Sequence, residues 1–158
     1  MPTTASIKST NPMERLTETN RHSPSTLSDT RMVHAIFPGD TNHYGTLFGG
    51  QAMAWMDQAA FICATRWCRK KVVTARSSAI DFRTPVPVGM IVELVARVTR
   101  VGRTSMTVLV EMWIEPMDHA ERSLACQGEF VLVAVDSLNR PAAVPPMPMP
   151  VAMGEVDG

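Results

Sequence analysis

A single carboxylate, Asp57, stands inside the apolar run FGGQAMAWMDQAAFICA, and a charge in that setting points to acid–base chemistry. On a helix its neighbours one turn away are Met53, Ala54, Ala60 and Phe61, and none of them offers a partner. Burying an unpaired carboxylate costs several kcal/mol, a large share of the ~5–15 kcal/mol that holds a domain together. Asp57 must therefore be paired with a distant group such as Arg83, be wet, or be used. Two upstream features favour use. The double glycine Gly49-Gly50 falls where the helix should begin, so free N–H groups and the positive dipole end face outward with no side chain in the way. That is the outline of an oxyanion site. Asp57 follows Gly50 by seven residues, about 10 Å of helix, and helical side chains lean back toward the N-terminus. Asn42, in the loop segment GDTNHYGTLFGG, carries an amide able to orient a water or polarise a carbonyl; making a turn is its plainer use.

These residues need a frame. RMVHAIF reads as a first strand closed by the turn Pro38-Gly39-Asp40. The helix follows, with its deepest stripe at Ala52, Met56, Ala59, Ala60, Cys63 and Trp67. Its other faces are also mostly small or apolar, so it should be wrapped by other structure. Arg66, Arg69, Lys70 and Lys71 mark its C-terminal end, where cations meet the negative dipole pole. The period then changes to two. VVTARSSAIDF, MIVELVARVTRV, the segment Thr104–Ile114 and LACQGEFVLVAV read as four strands of ten or more residues, with Gly102 at the turn between the middle pair. Strands in succession without helices make an antiparallel sheet, whose greasy face has one helix to cover. The expected class is α+β, a long antiparallel sheet wrapped around one central helix.

Composition bounds the rest. The 158 residues fit one domain, with 45% hydrophobic residues. Residues 1–30, rich in Ser, Thr, Asn and Pro, read as a flexible arm, and the Pro/Met-rich 141–158 as a loose tail. The folded unit is placed at 31–140. Fifteen basic side chains balance fifteen acidic ones, which argues against nucleic acid or an anionic membrane as partner. No run approaches the ~18–20 apolar residues of a membrane span, and no signal-peptide core is present. Three cysteines without a CxxC pair fit free thiols in a reducing compartment, so a cytoplasmic protein is expected. No Cys/His spacing suggests a metal. GxSxG is absent, which removes the serine-hydrolase elbow, and Cys63 reads as a small core residue rather than a nucleophile.

The blocks DTNHYGTLFGGQAMAWMDQAA, IDFRTPVPVG and VTRVGRTSMTVLVEMW together resemble the hotdog-fold acyl-CoA thioester hydrolases of the cytosolic long-chain acyl-CoA type, over residues 31–140. The resemblance implies hydrolysis of acyl-CoA to free acid and CoA without a cofactor, since coenzyme A is part of the substrate. It assigns Asp57 as general base or nucleophile and Asn42 as support for the water or carbonyl. It further implies that the two come from different protomers of a homodimer, with dimers assembling as a trimer into a hexamer. Arg103-Thr104-Ser105 resembles a segment that helps bind the CoA moiety, and Ser78 stands where many relatives carry an acidic residue. Guanidinium groups bind phosphates bidentately, so Arg83, Arg97, Arg100 and Arg103 are the further CoA candidates, Arg103 foremost. Two other readings use the same scaffold. A non-catalytic acyl-CoA sensor would bind and release no thiol, and an enoyl-CoA hydratase or dehydratase would depend on His34 or His43.

Overall fold

A computed structural model describes residues 29–147 of the chain. Positions 1–28 of the expected arm and 148–158 of the expected tail lie outside the described residues.

Strand β1 (Thr30–Ala35) leads through a short 3-10 turn at Pro38–Asp40 to a single helix, α1 (Gly49–Cys68). The sheet continues with β2 (Lys71–Ser77), β3 (Asp81–Phe82), β4 (Met90–Val101), β5 (Ser105–Pro116) and β6 (Ser123–Val135). All pairings are antiparallel, in the order β1-β4-β5-β6-β2, with β3 also on β6. Alternation sets the core: Met106, Val108, Val110, Met112 and Ile114 of β5 face inward and are buried, while Ser105, Thr107 and Glu111 point to the other side. Val92, Leu94 and Ala96 of β4 and Phe130, Leu132 and Ala134 of β6 complete the layer against the helix. This is the hotdog arrangement.

The run VVTARSSAIDF does not form one long strand. It divides into β2 and β3, because the chain leaves the ladder at Ser78–Ile80 and Ser78 takes over locally. The Ser78 backbone N–H donates to the Glu129 carbonyl (2.8 Å) and its Oγ accepts from the Glu129 N–H (3.0 Å). Ile80 tucks over Gly128, where an added Cβ would lie 3.2 Å from Ile80 Cγ1. A bulge between Thr74 and Arg76 further bends β2.

Helix α1 is the single central helix expected, packed on the concave side of the sheet. It buries Ala52, Trp55, Met56, Ala59, Ala60, Cys63, Ala64 and Cys68, one stripe at three- and four-residue spacing whose alanines let it lie close to the sheet. Met53, Phe61 and Ile62 on its other side are 42%, 45% and 37% exposed, because a single curled sheet covers one face of a helix that is apolar on both. Among the described residues strand β2 likewise leaves one edge unpaired.

Candidate active site

Asp57 lies two turns into α1 and is half-buried rather than sunk in grease. Its partner is a hydroxyl: Thr74 Oγ1, from β2, donates to Asp57 Oδ1 at 2.7 Å. Among the described residues no arginine pairs with it, and Arg83 pairs instead with Asp81 (Nε to Oδ2, 3.3 Å). A donor held against one carboxylate oxygen fixes the plane of the group and leaves the second oxygen for a ligand or water. Thr74 was not singled out in the sequence, where an exposed strand threonine carries no signature. The available signal was the partnerless Asp57, which demanded a donor from some strand beside the helix.

The loop before α1 is built for a fixed entry. Asp40 caps its own turn by accepting the Phe37 N–H on Oδ2 (3.0 Å), and its carbonyl accepts the Phe48 N–H (3.1 Å) at the helix mouth. Asn42 makes the turn anticipated as its plainer role: Oδ1 accepts from the Tyr44 N–H (3.0 Å), the Thr46 N–H (3.3 Å) and Thr46 Oγ1 (3.2 Å). With the carbonyl oxygen so occupied, the amide N–H donors are the part of Asn42 that this turn does not use. Gly45, at φ 75°, closes the same turn in a left-handed conformation that suits glycine. No hydrogen bond among the described residues joins Asn42 to Asp57.

Phe48 precedes α1 in an extended conformation (φ −59°, ψ 132°) and supplies no side-chain cap. The first intrahelical bond is Ala52 N–H to Phe48 carbonyl (3.0 Å), so the N–H groups of Gly49, Gly50 and Gln51 are the orphan donors of the first turn. An added Cβ at Gly50 would meet nothing within 4 Å, and neither glycine has a positive φ. Internal packing therefore does not call for glycine here; access to the N–H groups does. Beside this mouth lies a mainly apolar cavity of about 280 Å³, walled by Gly49, Ala52, Phe82, Arg83, Met112 and Cys126. Gly49 and Arg83 thus share the cavity wall, with Gly50 the next residue of the helix.

Arg103, Thr104 and Ser105 do not join them within one protomer. The Thr104 carbonyl accepts from Ala134 N–H (2.9 Å), whereas the cavity touches β6 at Cys126. Eight residues of strand separate these points, about 27 Å at roughly 3.4 Å per residue. The basic run at the end of α1 is committed internally: Arg66 Nη1 donates to Thr30 Oγ1 (3.0 Å), Lys70 Nζ to the Ala143 carbonyl (2.5 Å) and Lys71 Nζ to Asn139 Oδ1 (2.5 Å). Arg97 pairs with Asp29 and Glu111 on the sheet's outer face. His34 stacks on Trp55 (4.2 Å between centroids), His43 lies tilted against Tyr44 (3.8 Å), and neither is hydrogen-bonded to Asp57 among the described residues. Cys63 is buried, its Sγ directed to the Ala96 carbonyl, and burial pushes its thiol up from its ordinary range, as a core residue requires. Among the described residues no group of three or more His, Cys, Asp or Glu side chains converges on a metal position, and no helix is long and apolar enough to cross a membrane.

Comparison with known proteins agrees with this geometry. The family model of the thioesterase superfamily matches residues 44–120. The acyl-CoA thioester hydrolase YciA of Escherichia coli is 37% identical over 113 residues, covering 68% of this chain and 84% of its own length. Among solved structures, the acyl-CoA hydrolase of Staphylococcus aureus, in complex with butyryl coenzyme A, coenzyme A and coenzyme A disulfide, superimposes with a TM-score of 0.73. It is 36% identical and covers 76% of this chain and 73% of its own. Variants of that enzyme have also been solved with alanine replacing an asparagine, an aspartate and a threonine, spaced fifteen and seventeen positions apart. Asn42, Asp57 and Thr74 keep the same two spacings. The hexameric thioesterase of Yersinia pestis superimposes with a TM-score of 0.70 at 32% identity, covering 75% of this chain and 96% of its own. By sequence and by fold, this chain belongs to the acyl-CoA thioester hydrolases of the hotdog thioesterase superfamily.

Proposed function

We propose that the protein hydrolyses acyl-CoA thioesters to free carboxylic acid and CoA through a domain spanning 31–140, with Asp57 as the general base. The observation that carries this reading is the 2.7 Å hydrogen bond from Thr74 to Asp57, on a helix whose mouth opens at two glycines. The thioester carbonyl lies at the Gly49 and Gly50 N–H groups, which stabilise the oxyanion as the carbonyl carbon becomes tetrahedral. Asp57 takes the proton of the attacking water, with Thr74 fixing the carboxylate and the Asn42 amide orienting the water or carbonyl. CoA then departs as the thiolate leaving group and is protonated to the free thiol. Arg83 and the turn Arg103-Thr104-Ser105 serve the CoA moiety.

A composite site explains the geometry best. The helix-mouth cavity and the Arg103 turn meet β6 eight residues apart in one protomer, the outer edge of β2 is unpaired among the described residues, and the uncovered side of α1 is apolar. A two-fold pairing through β2 buries that face and brings one protomer's far end toward the other's helix mouth. The resemblance of the chain to hexameric thioesterases supports three such dimers per assembly. The cysteines, free and buried, suit the reducing cytoplasm as the place of action.

The test is release of free thiol from acyl-CoA by purified protein, with Asp57→Asn beside the wild type. Loss of most turnover in the variant with its circular dichroism unchanged is expected. Hydrolysis at the wild-type rate removes Asp57 from the mechanism, and binding of acyl-CoA without any thiol release by the wild type establishes the sensor reading instead. Mixed assemblies of Asp57→Asn and Asn42→Ala protomers should regain activity that neither variant has alone, because a shared site can then draw both intact residues.

A further inference from the structure

Beyond β6 the chain turns at Asp136–Arg140 and comes back along the sheet. Asp136 organises the turn, Oδ1 accepting the Leu138 and Arg140 N–H groups (2.8 and 2.9 Å). Pro141 then bridges to Val135, and Ala142 N–H donates to the Ala134 carbonyl (2.8 Å), just past the last β5–β6 pair at Ser105 and Val133. Ala142 and Val144 pack on the core while Pro141, Ala143 and Pro145 face out, an edge-strand alternation in which proline is tolerated. Three further bonds tie this strap down. Trp67 Nε1 donates to the Pro145 carbonyl (3.0 Å), Lys70 Nζ to the Ala143 carbonyl, and Val144 N–H to the carbonyl of Arg103 (3.0 Å).

The last bond matters because it reaches the turn that carries Arg103. That turn is held from three directions: by Val144 at Arg103, by Ala134 at Thr104, and by its own Gly102 N–H to the Ser105 carbonyl (2.8 Å). A Cβ added at Gly102 would lie 2.9 Å from Ser105 Oγ, so a side chain there would make the Ser105 hydroxyl move. The guanidinium of Arg103 makes no ion pair among the described residues, whereas Lys70 and Lys71 beside it are spent on the strap and its turn. The end of the helix thus gives up its own cations to fix a backbone from which a different, unpaired cation projects.

The geometry points to Pro141–Pro145 as a positioning strap for the nucleotide-binding turn: Val144 and Trp67 hold the Arg103 backbone so that its guanidinium meets a CoA phosphate. The inference rests on the assignment of Arg103 to the CoA moiety. It concerns only the nucleotide half of the ligand, so its signature is discrimination between CoA and pantetheine, which lacks the nucleotide.

Full-length protein, Val144→Pro, Trp67→Phe and Arg103→Ala are titrated with CoA and with pantetheine by calorimetry. Val144→Pro removes the backbone N–H donor while keeping an extended backbone, and Trp67→Phe removes the indole bond to the Pro145 carbonyl while keeping an aromatic ring. Both should weaken CoA binding about tenfold, leave pantetheine binding unchanged, and add little when combined with Arg103→Ala. In hydrolysis, KM for acyl-CoA should rise with kcat unchanged, and KM for acyl-pantetheine should stay put. Equal losses for the two ligands, or full additivity with Arg103→Ala, would overturn the inference as a mere stability effect. Wild-type CoA affinity in Arg103→Ala would overturn it at its premise. Failure of the hydrolase reading appears separately, as absence of thiol release with these binding differences intact.

Discussion

Replacing Thr74 with valine isolates the contact on which the reading of Asp57 depends. Valine keeps the β-branched shape suited to strand β2 and deletes one hydroxyl, so the 2.7 Å bond to Asp57 Oδ1 disappears and the carboxylate loses its fixed plane. A hydrogen bond to a charged group contributes roughly 1.5–3 kcal/mol. If that bond holds the base in its reactive orientation, its full value falls on the transition state, a drop in kcat of about ten- to 150-fold. Stability should hardly change, since Thr74 is exposed in the protomer and surface substitutions stay within about ±0.5 kcal/mol. Serine at this position should restore most of the rate by returning the hydroxyl. The assay is steady-state release of CoA thiol, with thermal unfolding of each variant as control. Thr74→Val turning over as fast as the wild type would refute the reasoning, as would an equal defect in Thr74→Ser.

Gly49→Pro should fold normally, because Phe48 already has the extended backbone that a following proline requires, yet lose kcat by about 10²–10³ if the Gly49 N–H serves the oxyanion; kinetics and circular dichroism on the same sample decide it. Phe61→Glu, on the uncovered side of α1, should give a smaller species by light scattering and abolish turnover without unfolding the protomer. Burial pushes the Cys126 thiol up from 9.0 to about 11, so iodoacetamide at pH 8 should label it only after denaturation. Because that pKa is higher in the folded state, its contribution to stability is complete below pH 9.0 and is lost as pH rises through about 11, which chemical denaturation at pH 8, 9.5 and 11 would follow. Leu94→Ala, fully buried on β4, should destabilise by roughly 2–5 kcal/mol in urea.

Much of the architecture was legible from periodicity. MIVELVARVTRV is β4 to the residue, and the strands expected at 104–114 and through LACQGEFVLVAV correspond to β5 and β6. The helix start at the double glycine was legible because glycines there leave N–H groups free. The uncovered face of α1 was not, since hydrophobicity gives the same signal for a side chain buried in its own protomer and for one awaiting a neighbour. Thr74 escaped because its meaning arises only when β2 is laid beside the helix. The prolines after 140 were read as a loose end, yet Ala142 and Val144 alternate inward and find the core, an order that two residues in a proline-rich context are too few to announce.

The two borders of the sheet are dressed differently. Along β1, Arg31 reaches Glu93 at 2.6 Å and Asp29 at 3.7 Å, so a newcomer strand would meet anchored charge. Strand β2 carries Lys71, held on Asn139, and the exposed Arg76, neither in an ion pair among the described residues, and the irregularity near Thr74 shortens the straight stretch on offer. A strand that adds to this side uses up, among the described residues, the border free of ion pairs in both partners at once. Growth by this route stops at two copies, and a ribbon of indefinite length, the usual hazard of a bare strand, has no second step.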